Sequence, residues 1–175
     1  MDRLWAPWRG KYVTGESKPV GCVFCAAAAA TEALPDGSLP DSGPGELVLA
    51  RGEHVFAILN RYPYNNGHLM VVPYVHASRL AEVCAGARAE MMELAAEWTE
   101  VIAALMRADG FNVGFNLGAA AGAGLADHLH LHIVPRWQGD TNLMPVVGGV
   151  KVVPEALDTS CARLRAAWRE RQTRQ

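Results

Sequence analysis

The residues best suited to chemistry are three histidines that alternate with aliphatic residues in the segment Asp127-His128-Leu129-His130-Leu131-His132-Ile133-Val134-Pro135. Side chains alternate between the two faces of a β-strand, so a strand here places His128, His130 and His132 on one face. Neighbours in this row would stand roughly 6.6 Å apart and the outer two about 13 Å apart. A polar row opposite an aliphatic face predicts a reactive site.

Two kinds of chemistry fit such a row. In the first, the histidines hold a catalytic metal, but the outer pair is far apart for one ion and only Asp127 lies nearby as a further ligand. In the second, a neutral imidazole attacks phosphorus and forms a phosphoramidate that breaks down readily. The flanking rings would then hold phosphate oxygens or protonate the leaving group.

The segment before the row favours phosphorus chemistry. Residues 116–124 read Asn-Leu-Gly-Ala-Ala-Ala-Gly-Ala-Gly and are nearly free of bulky side chains. Such a turn brings backbone N–H groups close to an anion. Together with the histidine row, it predicts a phosphate cradle beside a nucleophile.

Cys22 and Cys25 have the spacing of half a tetrahedral zinc site. His76 and His128 are candidates for the two missing ligands. If His128 binds the metal, the first histidine of the row is structural and the second reacts. A thioredoxin-like redox motif fits less well, because no βαβ unit surrounds the pair. We expect His54 and His68 to be surface or structural residues.

Hydrophobic periodicity predicts the elements that position these groups. After a short helix over 25–33 and a loop over 35–45, strands are expected at 47–50, 55–59, 68–73, 111–117 and 128–135. A long helix is predicted over 87–107 with Gly110 after its end, and a final helix from Pro154 with a solvated arginine-rich terminus. This order favours an α+β fold built on an antiparallel sheet.

Length and composition favour one globular domain. The chain has 175 residues, 50% of them hydrophobic, and a net charge of −2. We expect a single domain over 1–175, with an N-terminal segment at 1–33, a catalytic core at 46–137 and a C-terminal helix at 154–171. The charge balance predicts no nucleic-acid partner. The lack of a membrane-length apolar run and of a signal peptide predicts a cytoplasmic protein without membrane contact.

The row His128-Leu129-His130-Leu131-His132-Ile133-Val134 resembles the pattern of the histidine-triad (HIT) family, His-φ-His-φ-His-φ-φ with φ hydrophobic. The resemblance extends over most of the chain. Leu4-Trp5-Ala6-Pro7-Trp8-Arg9, the block 60–73 and Pro135-Arg136-Trp137 look like the branch that includes the short diadenosine tetraphosphate phosphorylases.

This resemblance implies an HIT-like fold and a mechanism for cleaving dinucleoside polyphosphates. His130 would attack the α-phosphate to form a nucleotidyl-histidine, and water or orthophosphate would release the nucleotide. His132 would bind phosphate oxygen near the leaving group. The implied substrate-binding residues are Asn116 with the backbone of Ala123 and Gly124 for the α-phosphate, Asn60 for the ribose, and Ile58 for the base.

The resemblance also implies structural zinc on Cys22, Cys25, His76 and His128, no organic cofactor, and a homodimer or higher homo-oligomer. In one respect the chain departs from the family. Many members place Ser or Thr shortly before the triad, whereas residues 122–127 here offer no hydroxyl. A nucleoside phosphoramidate hydrolase and a nucleotide-binding regulator with little turnover therefore stand as alternatives.

Overall fold

The computed structural model describes residues 21–32, 34, 38–140 and 155–174. Its elements are helices α1 (Val23–Glu32), α2 (Ala85–Met106) and α3 (Leu157–Gln172), and strands β1 (Val48–Arg51), β2 (Val55–Leu59), β3 (Leu69–Pro73), β4 (Gly110–Phe115) and β5 (Leu131–Arg136). The predicted α+β fold with a five-stranded antiparallel sheet is confirmed. The segment 4–9 and Pro154 lie outside the described residues. No described helix combines the length and the apolar character needed to span a bilayer.

The sheet has the order β1-β2-β3-β5-β4, with antiparallel pairing throughout. Every residue of β2 and β3 is buried, as expected for central strands of aliphatic residues. The register pairs Ile58 with Met70, Met70 with His132, and His132 with Gly114. Directly paired residues share a face of the sheet, so these four form one row across it.

Helix α2 packs on the sheet through the predicted face, with Met91, Leu94, Trp98 and Val101 buried. Its bounds agree with the predicted 87–107 to within two residues, but Gly110 does not close it. Arg107 closes the helix in the left-handed conformation with φ 53°, and its N–H donates to the Ala103 carbonyl. Gly110 instead begins β4, because the helix ended three residues earlier without a glycine.

Helix α3 packs beside α2 and β1, and Trp168 stacks on Trp98 with ring centroids 4.5 Å apart. The predicted solvated arginine terminus is wrong for Arg165, which is buried. Its guanidinium donates to the carbonyls of Val48 at 2.8 Å and of Pro40 and Glu46 at 3.0 Å. Those carbonyls belong to the irregular segment before β1 and its start, which needs side-chain donors because no strand supplies them.

Candidate active site

A cavity of about 710 Å³ opens between α1, the ends of β2 and β3, and the segment that joins β4 to β5. Apolar residues form part of its wall, among them Val23, Leu47 and Met70. The catalytic and substrate-binding residues predicted from the sequence all line this cavity, namely Ile58, Asn60, Asn116, Ala123, Gly124, His130 and His132. The fold therefore brings together residues that are up to 74 positions apart, from 58 to 132.

The alternation of histidines and aliphatic residues predicted one continuous strand over the whole histidine row. The structure differs from this prediction. Strand β5 begins at Leu131, so His128 and His130 precede it. The Nδ1–H of His130 donates to the His128 carbonyl oxygen at 2.8 Å. That bond places the lone pair of the neutral ring on Nε2. Burial lowers the pKa of His130 below its ordinary 6.5, so the ring is neutral near pH 7.

His132 is oriented by a histidine whose part in the site was not predicted. The backbone N–H of Tyr64 donates to Nδ1 of His68 at 3.0 Å, so the neutral His68 ring carries its proton on Nε2. This Nε2–H donates to Nδ1 of His132, also at 3.0 Å. His132 then carries its own proton on Nε2, 3.3 Å from the side-chain amide of Asn116. Because two N–H groups cannot bond to each other, the Asn116 amide must present its oxygen to this proton. The fixed tautomer makes His132 a hydrogen-bond donor inside the cavity.

His68 is fully buried, whereas the sequence indicated a surface or structural residue. Only the pairing register could have revealed its role. Leu69 pairs with Ile133, so β3 starts beside the middle of β5. Continued by one residue, this register puts His68 opposite Val134, so His68 is the diagonal neighbour of His132 on the same face of the sheet. By contrast, the His54 side chain is 43% exposed and lies outside the cavity.

The segment before β5 forms a tight turn around a short 3-10 helix at Ala119–Ala121. Gly118 and Gly122 flank that helix with φ of 80° and 86°, a region in which residues with a Cβ are strained. The turn places Ala123 and Gly124 at the cavity wall, and the Ala123 N–H donates to the Gly118 carbonyl oxygen at 3.4 Å. Since neither side chain has a hydroxyl, only backbone N–H groups can donate to a phosphate there.

Cys22, Cys25, His76 and His128 form a second cluster, in which one ligand atom of each lies within 4.8 Å of the others. Nδ1 of His128 is 3.2 Å from Sγ of Cys22 and 3.7 Å from Sγ of Cys25, and Nδ1 of His76 is 3.4 Å from Sγ of Cys25. A tetrahedral zinc ion separates its sulfur and nitrogen ligands by roughly 3.6 Å. These four residues could therefore hold a metal ion.

The protonation of His128 also suits a metal. Its Nε2 lies 2.9 Å from the Pro73 carbonyl oxygen, which can only accept a hydrogen bond, so Nδ1 keeps its lone pair and points at the two sulfurs. Burial and the neighbouring Cys22 raise the pKa of the Cys25 thiol, and a divalent cation would offset that cost of ionisation. Within the described residues, His130 and His132 belong to no cluster of candidate metal ligands.

The sequence model of the HIT domain matches residues 45–139, which is more than half of the chain. The chain belongs to the HIT family. A relative from Mycobacterium tuberculosis (strain ATCC 25618 / H37Rv), named AP-4-A phosphorylase, is 43% identical over 169 residues, which cover 96% of this HIT chain and 85% of the relative. An uncharacterized HIT-like protein from Methanocaldococcus jannaschii is 33% identical over 119 residues, covering 68% of this chain and 81% of the relative.

Solved structures support the HIT fold. A Zn-bound histidine triad family protein from Mycobacterium smegmatis superposes with a TM-score of 0.66 at 24% identity, covering 89% of this chain and 98% of that one. A hypothetical histidine triad nucleotide-binding protein from Sulfolobus tokodaii gives a TM-score of 0.64 at 25% identity, covering 85% and 93% of the two chains. The predicted HIT-like fold is therefore confirmed.

Proposed function

We propose that this protein cleaves dinucleoside polyphosphates such as diadenosine tetraphosphate, with His130 as the nucleophile. One observation carries the proposal. The His130 ring is neutral, its Nδ1–H is held by the His128 carbonyl, and its Nε2 lone pair remains for attack at the wall of a cavity large enough for a nucleotide. The 43% identical relative named AP-4-A phosphorylase supports this substrate class.

The remaining residues of the cavity take complementary roles in the proposal. The apolar part of the wall, which includes Ile58, holds the base, and Asn60, which also lines the cavity, binds the ribose. Asn116 and the backbone N–H groups around Ala123 and Gly124 hold the α-phosphate. Such fixed donors stabilise the charge that develops on a five-coordinate phosphorus without reorganising during the reaction.

His132 assists the departure of the leaving group. Because His68 keeps a proton on Nε2 of His132, this ring donates to phosphate oxygen close to the bond that breaks. After the first product leaves, orthophosphate or water attacks the nucleotidyl-histidine. The N–P bond breaks, and its electron pair returns to Nε2 of His130.

The test is to incubate the protein with diadenosine tetraphosphate with and without orthophosphate. Phosphorolysis gives ADP plus ATP, and hydrolysis gives AMP plus ATP. His130→Ala should abolish turnover, while His54→Ala, an exposed histidine outside the cavity, should retain it. Full turnover by the His130→Ala variant would contradict the proposal. Tight binding of AMP by the unaltered protein without turnover would instead indicate a nucleotide-binding regulator.

We infer that the metal of the Cys22, Cys25, His76 and His128 cluster is zinc, with a structural role. Two thiolates and two imidazoles are a donor set typical of zinc, and four protein ligands leave no open position for substrate. These residues would tie the start of α1 to the segment that carries His130, and α1 forms one wall of the cavity. None of the described cysteines forms a disulfide bond, which is typical of a reducing compartment and supports a cytoplasmic location.

We propose a homodimer in which β4 of one chain lies beside a second copy. In the described sheet β4 is an edge strand, and Val113 on it is 43% exposed. An exposed edge with an apolar side chain is suited to association with an identical strand. Light scattering after size-exclusion chromatography should give twice the chain mass, and Val113→Lys should shift it toward the mass of one chain. A single-chain mass for the unaltered protein would contradict a dimer.

A further inference from the structure

A second cavity of about 400 Å³ adjoins the first on the side of β4 and β5. Tyr64, Asn116 and His132 line both cavities, whereas His130 lines only the first. The second cavity continues past His132 to the side chains of Asn112 and Arg136. His132 and its neighbours therefore form the boundary between a nucleotide-sized space and a smaller polar space.

The register of the sheet shows how the two cavities are arranged. Ile58, Met70, His132 and Gly114 form one row across β2, β3, β5 and β4. The first two line the first cavity, Gly114 lines the second, and His132 lines both. The cavities thus lie side by side on one face of the sheet and share His132 as part of their walls.

We propose that the second cavity binds the phosphate chain of the leaving group and, in the next step, the orthophosphate acceptor. This inference rests on the proposed function. When Nε2 of His130 bonds to the α-phosphorus, the bond from phosphorus to the bridging oxygen breaks on the opposite side, and its electron pair leaves on the nucleoside polyphosphate. The acceptor oxygen then attacks from that same side as the N–P bond breaks. Leaving group and acceptor therefore need one shared subsite beyond the α-phosphate, away from His130.

The donors in the second cavity suit phosphate oxygens. Arg136 donates through Nε and Nη2 to the Asp140 carboxylate and through Nη1 to the Asn112 amide oxygen. Because that oxygen is occupied, the amide nitrogen of Asn112 is the group left to donate to a ligand. Asn65 contributes indirectly, since its Nδ2 donates to Asp140 and to the Pro135 carbonyl and holds this network in place.

The second cavity has little net positive charge, which suits a subsite that must release its phosphate ligand at every turnover. The Asp140 carboxylate neutralises Arg136 at 2.6 Å, and this ion pair holds the pKa of Asp140 well below its ordinary value. Phosphate would be held by directed N–H groups of Asn112, Arg136 and His132 rather than by a strong positive field. Such a subsite binds a polyanion with modest affinity and releases the product.

The test compares two substrates that place the same adenylyl group on His130. Diadenosine tetraphosphate has a leaving group long enough to fill the second cavity, whereas adenosine 5′-phosphoramidate releases only ammonia. Asn112→Asp puts a negative charge in the second cavity with almost no change of shape. The matched control is Gln138→Glu, the same amide-to-acid change at an exposed residue that lines neither cavity.

We compare kcat/KM for diadenosine tetraphosphate with kcat/KM for the phosphoramidate. Asn112→Asp should lower the ratio of the first to the second by roughly tenfold or more. It should also raise the KM for orthophosphate in phosphorolysis. Asn112→Leu, which removes the amide at similar volume, should do the same to a smaller degree. Gln138→Glu should leave the ratio within about twofold. An unchanged ratio in both Asn112 variants would overturn the proposal even if the protein cleaves both substrates through His130. Loss of the His130 adduct itself would instead overturn the proposed function.

Discussion

His68 controls the proton on His132, and its replacement tests this arrangement. We expect His68→Asn to retain an acceptor near Nδ1 for the Tyr64 N–H, but to lose the donor that now lies 3.0 Å from Nδ1 of His132. His132 could then take the other tautomer and present a lone pair instead of a proton to the phosphate. The change affects a pair of buried rings, so water does not replace the lost bond freely.

The expected size follows from the lost hydrogen bond. A buried acceptor left without its donor costs about 1–3 kcal/mol. If this cost appears in the transition state, kcat/KM falls by roughly 5- to 150-fold, since about 1.4 kcal/mol corresponds to a factor of ten. His68→Gln is the matched variant, because its amide nitrogen reaches approximately the position of Nε2 and can donate to His132.

The assay is steady-state cleavage of diadenosine tetraphosphate, with thermal unfolding of each variant measured in parallel. We expect His68→Asn to lose activity by the stated factor and His68→Gln to recover most of it. If His68→Asn keeps full activity at unchanged stability, the control of His132 by His68 is refuted. Equal losses in both variants would show that the ring acts through packing and not through its Nε2–H.

Three further predictions concern stability, the metal and pH. Arg165→Met should lower the free energy of unfolding by about 2–4 kcal/mol, because the Val48 and Pro40 carbonyls lose the Arg165 donor and the Glu46 carbonyl keeps only the Cys161 thiol. Arg169→Met, at an exposed position, should change it by less than about 0.5 kcal/mol. Urea denaturation measures both variants, and equal effects would contradict the buried role of Arg165. Metal analysis should find about one zinc per chain, lost in Cys25→Ser together with several degrees of melting temperature, and metal-free protein of unchanged stability would contradict the site. Burial lowers the pKa of His130 below its ordinary 6.5. We therefore expect kcat/KM to stay constant from neutral pH down to about pH 6.5 and to fall only in more acidic solution. A pH profile of kcat/KM with its acidic midpoint above about pH 7 would contradict this. The lowered pKa of His130 also makes the stability of the protein depend on pH. Its contribution to the free energy of unfolding is complete above the unfolded-state pKa of about 6.5. This contribution is lost as the pH falls, because the unfolded chain takes up the proton at a higher pH than the folded chain.

The sequence allowed most of the fold to be predicted, because the strands and α2 have clear periodicities that tertiary packing reinforces. Boundaries were less predictable. Strand β5 begins at Leu131 rather than His128, because the backbone groups before it have partners outside the sheet. The Leu129 N–H donates to the Ala77 carbonyl, and the His128 carbonyl accepts from the His130 ring. The end of α2 was predicted to within one residue, but the left-handed conformation of Arg107 that closes it gives no signal in the sequence.

The parts of the candidate site that consist of residues close together in the sequence could be predicted. The parts that depend on how distant strands pair could not. The four possible metal ligands and the residues of the first cavity could be proposed from motifs alone. The contact of His68 with His132 depends on the pairing of β3 with β5, and Arg165 depends on carbonyls more than a hundred positions away in the chain. The second cavity also arises from register, because it needs Asn112 of β4 beside His132 of β5.

The central claim is that Nε2 of His130 forms a covalent bond to the α-phosphorus of the substrate. Rapid quenching of the protein with diadenosine tetraphosphate in the absence of orthophosphate, followed by peptide mass spectrometry under alkaline conditions, tests it directly. We predict one adenylyl group per chain on the peptide that contains His130, and its absence in the His130→Ala variant. An adenylyl group on His132, or rapid turnover with no adenylyl-protein at any quench time, would contradict the account.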